Sequence, residues 1–265
     1  MSEFAYSTDG FTRHEREIAG ISHVWWEIGE GEPCVYFHGG GTFHGFEWAR
    51  DWADKLRIIL PHHPNFGESA DADFKSMADY AAHYRAFFAA LALGRFRLVG
   101  ASMGGYLAAT YAGLEPSQIE RLVLVSPAGL HHVDAPFPDF ASTPPEQHSA
   151  LFAADPDWIA PFWPAQPGPE WTALRRREGA ASMRARGEPD VAYAALLRAL
   201  DRIQAPTLLL WGEKDQILPL PLLSEWQARL PQAESVVIPG GGHLLLDEFP
   251  AARQAARVFL TDSCD

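Results

Sequence analysis

Gly100-Ala101-Ser102-Met103-Gly104 has the spacing in this chain that points most directly to chemistry. G-x-S-x-G fits a sharp strand-to-helix turn that lifts a serine hydroxyl clear of the backbone, and Gly105 extends the run of small residues. Small residues on either side let strand and helix approach. A serine so placed sits at a helix N-terminus, where partial positive charge favours an anion. Its hydroxyl is a weak nucleophile at neutral pH and needs a base to take its proton. Two later loops hold residues of suitable type. Asp215 follows the apolar run Thr207-Leu208-Leu209-Leu210-Trp211, and His243 follows Gly240-Gly241-Gly242, glycines that let an imidazole project from its loop. Upstream, the run Val35-Tyr36-Phe37 ends at His38-Gly39-Gly40-Gly41-Thr42, where glycines would let the backbone close in on a substrate oxygen.

His38, His44, His62, His63, His131 and His132 form no zinc-type spacing such as H-E-x-x-H, so neither a metal nor an organic cofactor is expected. A net charge of -13 disfavours nucleic acid and a strongly anionic membrane surface. No apolar run approaches the roughly 20 residues of a bilayer span. Met1-Ser2-Glu3-Phe4 lacks the basic start and apolar stretch of a signal peptide, so a cytoplasmic protein is expected. Cys34 in an apolar run and Cys264 in the tail do not read as a disulfide framework. The expected partner is a small-molecule substrate, with monomer and homodimer both open.

The elements that must position these residues alternate between strand-like and helix-like runs. That alternation predicts an α/β fold, a mostly parallel twisted sheet flanked by helices. With 265 residues, 47% of them hydrophobic, the chain can bury one core. Residues 11–19 and 21–29 read as an antiparallel start split at Gly20. Residues 45–56 can form a helix, and Arg57–Leu60 a strand stopped by Pro61. Tyr80, Tyr84, Phe87, Phe88 and Leu91 recur at helical spacing within 76–93. A strand at 97–99, a helix at 103–113 and a strand at 121–125 bracket Ser102. The stretch 127–169 holds ten prolines, which rules out a long helix or a central strand there. Helices follow at 170–186 and 190–200, then a strand at 207–211, a helix near 220–229, a strand at 235–238 and a last helix at about 248–260, opened by Asp247, Glu248 and Pro250. The simplest division is a core of 1–130 and 204–265 with a helical, proline-rich cap at 131–203. Ligands in such sheets bind at the C-terminal ends of the strands.

Across nearly its whole length the chain resembles the α/β-hydrolase family. The resemblance implies Ser102 as nucleophile, His243 as base and Asp215 as the acid orienting it, with Glu213 the alternative acid. It implies an oxyanion hole from the N–H of Met103 and one from the His38–Thr42 loop, Gly40 first and Gly41 second. His38, Gly41, Phe137, Trp158, Phe162 and Trp163 are the residues expected at the substrate. With Phe140, Phe152 and Trp171 the aromatics suggest an apolar pocket. Arg175, Arg176, Arg177, Arg184 and Arg186 read as a solvated helix face, although a substrate carboxylate could meet one of them. The implied reaction is carboxylic-ester hydrolysis. Ser102-Met103-Gly104-Gly105 is also similar to the subfamily that hydrolyses a C–C bond of ring-cleavage diketones, but Leu244 stands where that subfamily has tryptophan. A small-molecule receptor or cofactor-free oxygenase on the same fold is the alternative of another class. Epoxide hydrolases and haloalkane dehalogenases need an aspartate where Ser102 stands.

Overall fold

The computed structural model describes residues 5–139, 142–144 and 147–262. Phe140 and Cys264 lie outside them. Strands β1 (Thr12–Ile18) and β2 (Ile21–Ile28) form a hairpin whose turn residues, Ala19 and Gly20, both have positive φ, as a tight two-residue hairpin requires. Then come β3 (Glu32–Phe37), a 3-10 helix (Glu47–Trp52), β4 (Leu56–Pro61), helix α1 (Met77–Ala90), β5 (Phe96–Ala101), α2 (Met103–Leu114), a 3-10 turn (Pro116–Gln118) and β6 (Ile119–Val125). Four helices separate β6 from the next strand: α3 (His148–Phe152), α4 (Pro156–Ile159), α5 (Pro169–Ala185) and α6 (Pro189–Leu200). The chain ends with β7 (Thr207–Gly212), α7 (Leu222–Arg229), β8 (Glu234–Ile238), α8 (Leu245–Glu248) and α9 (Pro250–Thr261).

The strands form one sheet in the order β1-β2-β4-β3-β5-β6-β7-β8. The pairs β1–β2 and β2–β4 are antiparallel; the others are parallel. The central strands are apolar through their buried stretches, Leu98–Val99 and Leu122–Val125 among them, because helices cover both faces. One face packs α1 and α2 onto Val35, Phe37, Leu98 and Leu122, and the other packs the 3-10 helix Glu47–Trp52 and α9 onto Tyr36, Val99 and Val123. A capping box starts α1, with Ser76 Oγ accepting from Asp79 N–H and Asp79 accepting from Ser76 N–H. Helix α6 lies so close on α2 that a Cβ at Gly113 would run into Ala199 backbone.

Three local expectations need correction. Of 45–56, only Glu47–Trp52 winds, and as a 3-10 helix. Pro61 does not stop β4 but is its last residue. There β4 pairs only with β2, its register with β3 ending at Ile59, so the missing N–H leaves no strand unsatisfied on that side. Asp247 and Glu248 do not open the last helix; they belong to α8, and α9 starts at Pro250.

Candidate functional site

The turn from β5 to α2 is fixed by crowding. A Cβ at Gly104 would run into the carbonyls of Phe37 and His38, and one at Gly100 into the carbonyl of Gly104. Only glycine admits the close contact of β3, β5 and α2 that this turn needs. Ser102 between them takes φ 54° and ψ -119°, a conformation costing on the order of 1–3 kcal/mol for a residue with a side chain. Its backbone is held on both sides: its N–H donates to Val125 O at 2.9 Å, and its carbonyl accepts from Gly105, Tyr106 and Ala128 N–H at 3.0–3.1 Å. Met103, the first residue of α2, has an N–H that no intrahelical carbonyl can reach.

The loop after β3 runs alongside. A Cβ at Gly39 would lie 3.2 Å from Ser102 Cβ, whereas one at Gly40 would face Ser182 and one at Gly41 would strike Arg175. The Gly40 N–H therefore belongs to the peptide that follows the residue packed on Ser102.

From the far strands come a carboxylate and an imidazole. Asp215, after β7, has a side chain 0% exposed; its Oδ1 accepts from Ile217 and Leu218 N–H at 2.9 and 2.8 Å. Its Oδ2 lies 2.8 Å from His243 Nδ1. His243, after β8, is 4% exposed at the side chain and is anchored by its own N–H and that of Leu244 on Phe152 O. With Nδ1–H given to the carboxylate, Nε2 is left as the acceptor. Glu213 instead accepts Gly240 N–H at 2.8 Å, which steadies the glycine run before His243.

Ser102 and His243 line one cavity of about 590 Å³. Its walls draw on both packing layers, with Met77, Tyr106 and Ile217 from one and Tyr36, Val125 and Leu246 from the other. The site thus combines a serine on a strained turn, an imidazole oriented by a buried carboxylate, and backbone N–H groups at a helix N-terminus. That combination is suited to nucleophilic attack on a carbonyl.

A sequence profile described as "Alpha/beta hydrolase family" matches residues 34–257. The chain belongs to the alpha/beta hydrolase family. Among curated relatives, Lipase 1 of Psychrobacter immobilis is 24% identical, over 87% of this chain and 77% of the relative. The 2-hydroxy-6-oxo-6-phenylhexa-2,4-dienoate hydrolase of Burkholderia cepacia is 27% identical over 92% and 93%. Among solved structures, a bacterial membrane phospholipase A superposes with a TM-score of 0.75 at 22% identity, covering 95% of this chain and 86% of that one. At that identity the superposition speaks for the fold alone.

Within this hydrolase fold, the residues expected at the substrate divide. Gly41, Phe137 and Trp163 line the cavity; His38, Trp158 and Phe162 do not. Trp158 and Phe162 pack on each other, ring centroids 5.1 Å apart. His38 is fully buried and bridges backbone: Nδ1 lies 2.7 Å from Gly39 O and Nε2 accepts His63 N–H at 3.0 Å. That pattern fixes one neutral tautomer, and burial with the neighbouring histidines keeps its pKa well below the usual histidine range. His62 and His63 are likewise buried away from the cavity, pushed down by desolvation to about 4 and about 3.

Several cavity features had no local signal in the sequence. Arg175, Arg176 and Arg186 border the cavity rather than forming a uniformly solvated face. Phe43, close to Trp163 and under the Arg175 guanidinium, forms part of the wall. His44 Nδ1 lies 3.0 Å from Asp247 Oδ1, a second histidine–carboxylate pair on the cavity wall, joined across 203 positions. Among the described residues no group of three or more metal-ligating side chains is gathered, and no helix is long and apolar enough to cross a membrane.

Proposed function

We propose that this protein hydrolyses a carboxylic ester of small or medium apolar character through an acyl-enzyme on Ser102. The observation that carries the reading is the 2.8 Å contact of His243 Nδ1 with the buried Asp215, in a loop bordering the same cavity as Ser102. His243 Nε2 takes the Ser102 proton as Oγ attacks the ester carbonyl carbon. Asp215 holds the tautomer and stabilises the imidazolium. The oxyanion accepts from the N–H groups of Met103 and Gly40, each worth on the order of 100- to 1,000-fold in rate. Collapse expels the alcohol, which takes the proton from His243. Water, deprotonated by His243, then attacks the acyl group, releasing the acid and restoring Ser102. Residues 131–203 act as the cap over this centre.

A second reading is hydrolysis of a C–C bond in a ring-cleavage diketone. The arginines bordering the cavity favour it, since a dienoate of the kind named for the Burkholderia relative carries a carboxylate. Leu244 counts against it.

The test is fluorophosphonate labelling followed by mass spectrometry of the modified peptide, with Ser102→Ala as control. Labelling at Ser102, lost in the variant, is expected. Folded protein that takes up no label would overturn the reading and bring forward a receptor or oxygenase role. Turnover of a ring-cleavage diketone well above that of short-chain p-nitrophenyl esters would favour the second reading.

A further inference from the structure

We infer that Glu178 is the positioning residue of the glycine loop, and that through it the seating of α5 on the core becomes a condition of turnover. The inference rests on the reading above, in which that loop supplies an oxyanion donor. Three glycines in a row give Gly39–Gly41 more backbone freedom than any other residues would. An oxyanion donor works only if it is already aimed where charge develops. Something outside the loop must therefore hold it.

On its N-terminal side the loop is held by His38, whose ring reaches Gly39 O. On its C-terminal side the anchor is Glu178, in the middle of α5 and 136 positions away in sequence. The Glu178 side chain is 0% exposed. It accepts the Thr42 hydroxyl at 2.6 Å and the Thr42 N–H at 3.2 Å from each carboxylate oxygen. It also accepts Gly67 N–H at 3.1 Å, from the loop after β4, and Arg175 Nη1 at 3.2 Å. Arg175 extends the clamp: the same Nη1 is 3.5 Å from Gly40 O, and its guanidinium lies over the rings of Phe43 and Trp163. One helix thus ties the glycine loop to the loop after β4, and Gly40 and Gly41 are the residues held between the two anchors.

A buried ion pair of this kind contributes little net stability, since desolvation offsets attraction. What it does supply is a single geometry. If α5 lifts, Thr42, Gly67 and Arg175 lose their shared acceptor together and the glycine loop is freed. A substrate admitted by that motion would meet an incomplete oxyanion hole until α5 returned, so covering the substrate and completing the site are one event.

The experiment compares Glu178→Gln, Thr42→Val and Thr42→Ser with wild type. Fluorophosphonate titration run to completion counts competent Ser102. The kcat per titrated site and KM are then measured on p-nitrophenyl butyrate, with the inhibition constant of phenylboronic acid, whose tetrahedral adduct on a serine mimics the oxyanion. Glu178→Gln and Thr42→Val are expected to lower kcat about 10- to 100-fold with KM within about 3-fold, and to weaken boronate binding in proportion. Thr42→Ser, which keeps the hydroxyl, is expected to restore kcat. An unchanged kcat per titrated site, or a rise in KM alone, overturns the inference while leaving the Ser102 reading intact. Wild type that does not label at Ser102 overturns both. If Glu178→Gln fails to fold, Thr42→Val decides.

Discussion

Around Ser102 the backbone has no slack. Gly100 and Gly104 have no room for a methyl group, the nearest atoms in their way are main-chain carbonyls, and the flanking strands are largely buried. The described residues between β6 and β7, which we propose as its roof, border the same cavity by other means. Val133 is 90% exposed and Met183 60%, the helices are short until α5, and the stretch is held by apolar residues of α5 and α6 in the core and by a few polar ties. Glu248 accepts the N–H groups of Ala154 and Asp155, Gln216 donates to Ala150 O, and Glu178 reaches Thr42 and Gly67. The turn is built by exclusion, so few sequences satisfy it; the roof is built by attachment, so many would. On the proposed function, reaction chemistry falls to the first kind of construction and substrate choice to the second.

The largest expected effect lies at the turn. Ser102→Ala should reduce turnover of short-chain p-nitrophenyl esters at least about 1,000-fold while the melting temperature stays within a few degrees. Activity near the wild-type value would break the assignment of chemistry to this region. Next comes Gly104→Val, whose side chain must displace the backbone at Phe37 and His38; unfolding in urea should register a loss of about 3 kcal/mol or more. A loss below 0.5 kcal/mol, the range of ordinary surface changes, would mean that the turn is not built by exclusion.

A third effect separates the two regions by pH. His62, His63 and His83, all in the core, have pKa values lowered by burial to about 4, about 3 and about 4. Unfolded, each takes a proton near 6.5; folded, each stays neutral until the pH is far lower. The unfolded chain then binds more protons, so stability is full above about pH 6.5 and falls as pH drops towards 4. At pH 5 each such histidine can remove up to about 2 kcal/mol. The roof's own histidines, His131, His132 and His148, are not buried. Unfolding midpoints that stay flat between pH 7.5 and 5 would contradict this account. The smallest change in stability is expected in the roof: Phe137→Ala, at a half-exposed ring, should shift stability by less than about 1 kcal/mol yet raise KM for an apolar ester several-fold. A loss of stability matching Gly104→Val would erase the contrast.

Legibility in the sequence follows the same division. The strands, α1 and the turn at Ser102 could be read because their determinants are local: alternation of apolar runs, helical spacing from Tyr80 to Leu91, and glycines at fixed offsets. The proline-rich stretch has no periodicity, so nothing told Trp163, which faces the cavity, from Trp158, which packs on Phe162. Pairs such as Glu178 with Thr42 and His44 with Asp247 are joined across 136 and 203 positions, and no neighbouring residue marks either partner. His38 shows the converse. Its place before the glycines marked it for the substrate, but its two ring nitrogens are taken up by Gly39 and His63 backbone.

The roof leaves the sheet after Val125 and returns at Thr207, where β6 and β7 lie side by side with Leu122 opposite Thr207. Chain entropy gives this arrangement a long-term consequence. Closing a loop between two fixed points becomes harder only with the logarithm of its length, about 0.6 kcal/mol for each doubling. Changes of loop length between those two points therefore cost the strands beneath little in closure, as long as α6 keeps its packing on α2. Descendants of this chain can lengthen or shorten those loops at small folding cost, provided that α6 stays on α2 and an acceptor still reaches Thr42.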